Sequence, residues 1–387
     1  MSARRMRAAV LREQGRPAPY RESRPLEIVD AELDGPGHGE VLVRVAAAGL
    51  CHSDLSAIAG QRARTLPAVA GHEAAGVVEE VGPGVTTVAP GDHVVMVFVA
   101  SCGVCPACVS GRASLCESSW TSRSQGTLPG GGRRLRVDGE PVHHYSGLSA
   151  FAEYAVTSET SLVRIDPEVP LLDAAVLGCA VVTGVGAVLF TADVPVGASV
   201  LVSGLGGVGL SALLGARLTG AATIVAVDVT RDKLALAREL GATHALDARE
   251  PGLADAVRDV TGGGVDYAFE MAGVASSIET CYAATRRGGT VVVAALPDPS
   301  ATFAVPLASH ASDERVLKGS YMGSCVPRRD VPRLATLYRA GRLPVDRLRS
   351  RTLALDEINA GFDRLRDGLA VRDVVVLDPE AVGSQEV

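Results

Sequence analysis

Aromatic side chains are scarce in this 387-residue chain, at 4% of residues with a single tryptophan. Stacking on nucleic-acid bases, which uses aromatic platforms, therefore has little material. Positive charge is also in deficit: 37 Lys and Arg stand against 44 Asp and Glu, a net −7. That balance argues against a broad surface for nucleic acid or anionic membrane. No apolar run approaches the roughly 20 residues of a membrane span. Met1 to Val10 carry several arginines but no apolar stretch long enough for a signal peptide. The expected location is cytoplasmic, with no nucleic-acid or membrane partner. In a reducing compartment the eight cysteines are expected as metal ligands or thiols and not as disulfides.

What is present fits a globular protein of two or three domains, with 47% hydrophobic and 21% charged residues. Up to about Pro170 the chain is rich in short β runs broken by Gly and Pro, such as Val41–Ala46, Ala75–Val81 and His93–Ala100. This predicts an antiparallel, barrel-like β domain. From about Val181 strands alternate with helices: Ser199–Ser203, then Val208–Thr219, Thr223–Val227, Asp232–Leu240, and further strands at Val265–Phe269 and Thr290–Ala295. That rhythm predicts an α/β, doubly wound parallel sheet. It lapses near Gly319, and the remaining mixed segment is a candidate to rejoin the first domain. Ser124–Glu140 and Asp378–Val387 read as solvent-exposed loop and tail.

The first chemical signal is Gly204-Leu205-Gly206-Gly207-Val208-Gly209. It follows an apolar strand and opens a helix, as a dinucleotide-binding G-x-G-x-x-G requires. The glycines permit a tight turn, close approach to a pyrophosphate and close helix–strand packing. The helix N-terminus offers N–H groups to the phosphates. Asp228 closes the next strand, about 20 residues on, where a carboxylate accepts from the ribose hydroxyls. It would repel a 2′-phosphate, so NAD is expected over NADP, with Arg231 close enough to soften the preference.

Cys102, Cys105, Cys108 and Cys116 form C-x₂-C-x₂-C-x₇-C. Four thiolates in one short loop can enclose a tetrahedral zinc with no open position, a structural site. An iron–sulfur cluster and four unliganded thiols are the competing readings. Elsewhere Cys51 sits in Gly49-Leu50-Cys51-His52-Ser53-Asp54, His72 in Gly71-His72-Glu73, and Cys179 after Gly178. From the residues alone these are only candidates to meet at a metal.

These stretches, with Gly178–Gly186, Ser203–Gly209 and Asp228–Lys233, appear in the order and separation that resembles the zinc-dependent medium-chain alcohol dehydrogenases, class I and III-like, over essentially the whole chain. The resemblance implies a GroES-like catalytic domain over 1–180 with a zinc lobe at about 101–117, a Rossmann NAD-binding domain over 181–320, and a return to the catalytic domain over 321–387. It implies a catalytic zinc on Cys51, His72 and Cys179, a ligand set for which alcohol dehydrogenase is the standing example, and so two zincs per chain. Glu73 would sit behind the metal and Asp54 would fix the His72 tautomer. Ser53 would touch the substrate oxygen, Thr183 would pack near the nicotinamide, and Lys233 would reach the adenosine ribose. His52 and Arg372 would contact the pyrophosphate, together with Gly204, Gly206, Gly207, Val208 and Gly209. Phe98, Tyr145 and Trp120 are candidates to line the substrate pocket, or are ordinary core and loop aromatics. The implied reaction moves a hydride between a primary or secondary alcohol or aldehyde and NAD, with zinc stabilising the alkoxide, in a cleft between the domains of a homodimer or homotetramer.

One departure concerns the proton path. Many members of the resembling family carry a histidine two residues after the position of Asp54, where this chain has Ser56. The path would then run through Ser53 and the nicotinamide ribose to Ser56 or His52. Arg62 and Arg64 stand before Gly71-His72, either as a greeting for an anionic substrate or as a solvated charged face. His143-His144 reads as no metal pair, because neighbours on a strand point to opposite faces. Cys281 and Cys325 read as buried thiols. Competing readings are a thiol-dependent formaldehyde dehydrogenase and a non-enzymatic, zinc-stabilised nucleotide-binding protein. A zinc-ribbon role on nucleic acid is opposed by the acidic charge.

Overall fold

A computed structural model describes residues 3–383. Contacts divide the chain into two units, Met1–Cys179 with Val326–Val387, and Ala180–Cys325.

The first unit holds a closed barrel of Arg4–Leu11, Leu26–Leu33, Leu135–Val137, Glu140–His144 and Ala68–Val69. Beside it lies a seven-stranded sheet. Its order is Leu162–Arg164, His93–Val97, Glu73–Val81, Glu40–Gly49, Asp373–Val376, Arg351–Ala354, with Tyr154–Ser158 also paired to Glu40–Gly49. The alternation of a strand explains how Glu40–Gly49 joins two cores. Val41, Val43 and Val45 enter one apolar cluster, while Leu42 enters another on the opposite face. The strand Asp373–Val376, near the C-terminus, pairs antiparallel with it, Val374 opposite Gly49.

The second unit is a six-stranded parallel sheet. Its strands are 1 (Ser199–Ser203), 2 (Thr223–Asp228), 3 (His244–Asp247), 4 (Val265–Glu270), 5 (Thr285–Val293) and 6 (Val316–Gly319), and they lie in the order 3-2-1-4-5-6, the doubly wound arrangement whose order reverses between strands 1 and 4. Leu201, Val225, Ala268 and Val291 from four neighbouring strands share one apolar cluster, as strands covered by helices must.

Three expectations from the sequence are corrected. One helix, Leu171–Ala192, is long and apolar enough to cross a membrane, against the expectation of no such run. Its most apolar window is 78% buried, and a helix buried on all sides is apolar on all sides. Ser124–Glu140 is not an open loop: Leu128, Leu135 and Val137 are buried in the barrel core with Met6, Val10, Leu33 and Val142, because Leu135–Val137 pairs as a strand with Leu26–Leu33 and Glu140–His144. In the polar C-terminal segment Pro379–Val382 is a helical turn capped by Asp378, whose Oδ1 accepts from the Glu380 amide at 3.1 Å. Residues 384–387 of that segment lie outside the described residues.

Candidate metal centre and dinucleotide loop

Strand ends and one helix of the first unit bring Cys51, His72 and Cys179 together. Cys51 follows the strand Glu40–Gly49 and opens the helix His52–Ile58. His72 immediately precedes the strand Glu73–Val81. Cys179 lies in a π-helical stretch, Leu177–Val181, a wide turn that recurs at functional sites. Gly178 makes its position possible: a Cβ there would stand 2.2 Å from the Met96 carbonyl oxygen, so only glycine lets this helix close on the strand His93–Val97. The ligand atoms of all three residues lie within 4.8 Å of one another, and all are buried. Cys179 Sγ is 3.5 Å from His72 Nε2. Two thiols and an imidazole around one point are a zinc donor set, so the residues fit that metal.

The surroundings prepare these donors. Asp54 Oδ1 is 2.8 Å from His72 Nδ1, which assigns the proton to Nδ1 and turns the Nε2 lone pair toward the two sulfurs. Burial works against a charged His72, but Asp54 and Cys51 overcome it and hold its pKa well above the usual value. The Cys51 thiol is held well below its usual range by a hydrogen bond from Cys179, with Arg372 and His72 adding to it. Cys179, the donor of that bond, is correspondingly pushed up.

Arg372, the residue expected at a pyrophosphate, is held against the Cys51 loop. It is 3% exposed, its Nη1 donates to the Leu50 carbonyl at 2.7 Å, and the same atom is 3.3 Å from Glu73 Oε2. It thus joins the Cys51 loop to buried Glu73 and sets a fixed positive charge near the two sulfurs. His52 is exposed, and Ser53 and Ser56 are half-buried on the same helix. Phe98 meets the His72 ring edge-on at 5.4 Å, and Tyr145 lies 6.2 Å from it. Tyr145 is buried and its hydroxyl donates to the Ser53 carbonyl at 3.3 Å. Trp120 is 66% exposed and has no such contact with His72 among the described residues. Arg123, not singled out from sequence, lies 5.4 Å from the Phe98 ring. Its only local signal is Trp120 one helical turn before it, and its approach to Phe98 is tertiary.

The four remaining candidate ligands, Cys102, Cys105, Cys108 and Cys116, also have their sulfurs within 4.8 Å of one another. The Cys102 amide donates to Cys116 Sγ and the Cys105 amide to Cys102 Sγ, both at 3.4 Å. Amides of Cys108 and Glu117 pull the Cys105 thiol down to about 6, while burial pushes Cys108 up to about 12. Neither His143 nor His144 joins a metal-capable group among the described residues. All eight cysteines are outside disulfides, and Cys281 and Cys325 are buried.

In the second unit the glycine loop stands at the carboxyl end of strand 1, beside the order reversal. Gly204 has φ +92°, and a Cβ on Gly209 would fall 1.7 Å from the Gly204 carbonyl oxygen. Gly206 caps the helix Gly207–Leu218, and Val208 lies in its first turn. Asp228 ends strand 2, and its Oδ2 accepts from the Leu205 amide at 2.7 Å while Oδ1 accepts from Thr230 at 2.8 Å. The acid therefore braces the loop as well as presenting charge there. Lys233 is half-buried on the following helix, and Thr183 is 8% exposed on Val182–Gly186.

The alcohol dehydrogenase GroES-like domain family matches residues 37–167, and the zinc-binding dehydrogenase family residues 207–339. An S-(hydroxymethyl)glutathione dehydrogenase of Paracoccus denitrificans is 36% identical over 96% of this chain and 100% of its own. An NDMA-dependent alcohol dehydrogenase of Amycolatopsis methanolica is 39% identical over 96% and 98%. The crystal structure of benzyl alcohol dehydrogenase from Acinetobacter calcoaceticus superposes with a TM-score of 0.90 at 32% identity, covering 97% of this chain and 100% of that one. With both domain families matched in order and relatives similar from end to end, this chain belongs to the zinc-dependent, medium-chain alcohol dehydrogenase family.

Proposed function

We propose that Cys51, His72 and Cys179 hold a catalytic zinc, that the four-cysteine lobe holds a structural one, and that the enzyme moves a hydride between a small primary or secondary alcohol or aldehyde and NAD. The family makes the chain a zinc-dependent oxidoreductase with a nicotinamide dinucleotide. The observation that carries the finer reading is the convergence of three buried donors from three distant segments, with Asp54 orienting the imidazole. Zinc supplies a Lewis acid for the substrate oxygen and the nicotinamide exchanges the hydride.

The chain's own groups do the rest. Cys51 and Cys179 are thiolates when they bind the metal, and together they balance its two positive charges. His72 stays neutral at Nε2 because Nδ1 keeps its proton against Asp54. The Ser53 hydroxyl, two residues after Cys51, takes the substrate proton and passes it on. Ser56 can relay that proton but cannot hold it near neutrality, so His52 is the basic group left on this helix. Asp228 and Lys233 receive the adenosine ribose and favour NAD, and Thr183 stands by the nicotinamide. Phe98 and Tyr145 give the reacting carbon apolar walls.

A homodimer is the proposed assembly. Val316–Gly319 is the last strand of its sheet and all four residues are exposed, an open edge that a second copy can pair. A second reading, a thiol-dependent formaldehyde dehydrogenase, is favoured by the likeness to the Paracoccus enzyme and requires a low-molecular-weight thiol for turnover.

The test is zinc per chain beside NADH formation from primary alcohols, in wild type and Cys51→Ala. Two zincs falling to one, with turnover lost, is the expected result. One zinc in both with no turnover on any alcohol or aldehyde overturns the proposal.

A further inference from the structure

A cleft of about 470 Å³ opens in the first unit, lined from the strand Leu26–Leu33, the helix Ile358–Arg366 and the turn around Arg21 and Arg24. None of the proposed metal ligands lines it. Its walls are pinned to each other. Asn359 pairs with Leu26 as a strand would, Oδ1 accepting from the amide at 3.2 Å and Nδ2 donating to the carbonyl at 2.8 Å. Asp363 accepts from the Tyr20 and Arg21 amides at 2.7 and 2.9 Å. Leu26, Ile28 and Ala360 give the cleft an apolar surface, since both ends of the Asn359 amide are engaged by Leu26.

The charge along the cleft is unbalanced. Of its two carboxylates, Glu27 is held by Arg12 at 2.8 Å and Arg16 at 3.2 Å, and Asp356 by Arg7 at 2.5 Å. Its two arginines have no such hold. The Arg24 guanidinium has no hydrogen bond or ion pair among the described residues, and Arg21 stands 3.8 Å from Glu22, beyond hydrogen-bond reach. Arg24 also has φ +44°, the left-handed region that glycine holds freely and a larger residue holds only with strain. Its backbone donates to the Tyr20 carbonyl at 2.8 Å and accepts from Arg16 at 3.1 Å, bonds that glycine would make equally well. No contact within the fold accounts for the Arg24 side chain.

We infer that this cleft binds a small organic carboxylate, its anionic head on Arg24 and Arg21 and its apolar body on Leu26, Ile28 and Ala360. A concave, largely preformed pocket of several hundred cubic ångströms, apolar with a few polar groups, is the usual form of a small-molecule site. The guanidinium fork matches the two oxygens of a carboxylate in a pair of parallel hydrogen bonds. A bare anion would leave the apolar surface wet, and a neutral molecule would leave the surplus cations unanswered. On a chain of net −7, two arginines beside one apolar surface select for a molecule with both features. The site is separate from the metal centre and does not depend on the proposed reaction.

Isothermal titration of the full chain with hexanoate tests the inference, with inorganic phosphate as the probe that lacks the body and hexanamide as the one that lacks the charge. Hexanoate is expected to bind about tenfold or more tightly than either, with the advantage over hexanamide shrinking as salt rises. Arg24→Gly, at ease with the φ of that position, and Arg24→Gln, which keeps the polarity without the charge, are each expected to weaken hexanoate about tenfold. The Tm of both unliganded variants is expected to hold, because no contact within the fold is lost. Unchanged hexanoate binding in both variants, phosphate binding as tight as that of hexanoate, or no hexanoate binding to wild type overturns the inference. Hexanoate seated at the metal centre instead would survive both substitutions and so counts among the overturning results. All of these leave the proposed function standing, since zinc content and turnover are measured separately.

Discussion

Asp54 and His72 form a buried pair, with Oδ1 2.8 Å from Nδ1 and neither side chain more than 5% exposed. The second oxygen of Asp54 accepts from the Cys51 amide at 3.3 Å. One carboxylate thus touches the residues of two proposed ligands, orienting the ring of one and the backbone of the other. Asp54→Asn keeps the shape but removes the charge that holds the Nδ1 proton. The expected result is a 10–100-fold loss of zinc affinity at this site, the usual cost of removing such a partner. Chelator competition followed by zinc release measures it, with the four-cysteine site as an internal reference. Equal release from wild type and variant would mean that packing against Phe98 and Tyr145 orients the ring without Asp54.

Asp228 is the second residue with two tasks. Its carboxylate braces the Leu205 amide and ends strand 2 where an adenosine ribose would lie. Asp228→Asn retains an oxygen for Leu205 and loses the charge. The ratio of kcat/KM for NAD over NADP is therefore expected to fall about tenfold or more, within the ~1–3 kcal/mol such a change at one contact carries. Thermal stability should change little, since the brace survives. If the ratio holds while stability drops, Asp228 is a loop brace only, and cofactor choice lies elsewhere, with Arg231 the nearest alternative in sequence.

Much of this was legible in the sequence because the motifs are local. The cysteine spacing fits one short loop, and G-x-G-x-x-G after a strand needs only its neighbours to be understood. The parallel sheet followed from its rhythm: four of its six strands overlap runs read from the sequence, while His244–Asp247 and Val316–Gly319, both at the sheet's edges, do not. Cys51, His72 and Cys179 were legible only through family resemblance, since no spacing rule joins residues so far apart. The contacts of Arg372 were not legible for the same kind of reason. Its pairing with Glu73 depends on the Asp373–Val376 strand docking beside Glu40–Gly49, a non-local event. The Leu171–Ala192 helix is less obvious as an apolar run because Gly178, Thr183, Gly184, Gly186 and Thr191 dilute it. Near its start Asp173 Oδ2 accepts from the Tyr338 hydroxyl at 2.7 Å, a partner more than a hundred residues away. Arg123 beside Phe98 is tertiary again.

His144 gives a prediction about stability that is independent of catalysis. It is 1% exposed, and its Nε2 accepts from the Arg134 amide at 3.1 Å, which requires that nitrogen to be unprotonated. Burial, with Arg134, His143 and Arg133 nearby, pushes its pKa down to about 3. Unfolding returns it to about 6.5. Between these values the unfolded chain binds the extra proton, so the stability is fully present above about pH 6.5 and is lost as the pH falls toward 3. A difference of that size between the folded and unfolded chain is worth a few kcal/mol at the acid end. His144→Gln keeps an acceptor for the Arg134 amide and does not titrate. Its Tm should start somewhat below wild type at pH 7 and fall less steeply between pH 6.5 and 4. Acidic residues contribute to both proteins alike, so the difference between the two curves isolates this histidine. Parallel curves across that interval would show that the buried ring is not what makes the fold sensitive to acid.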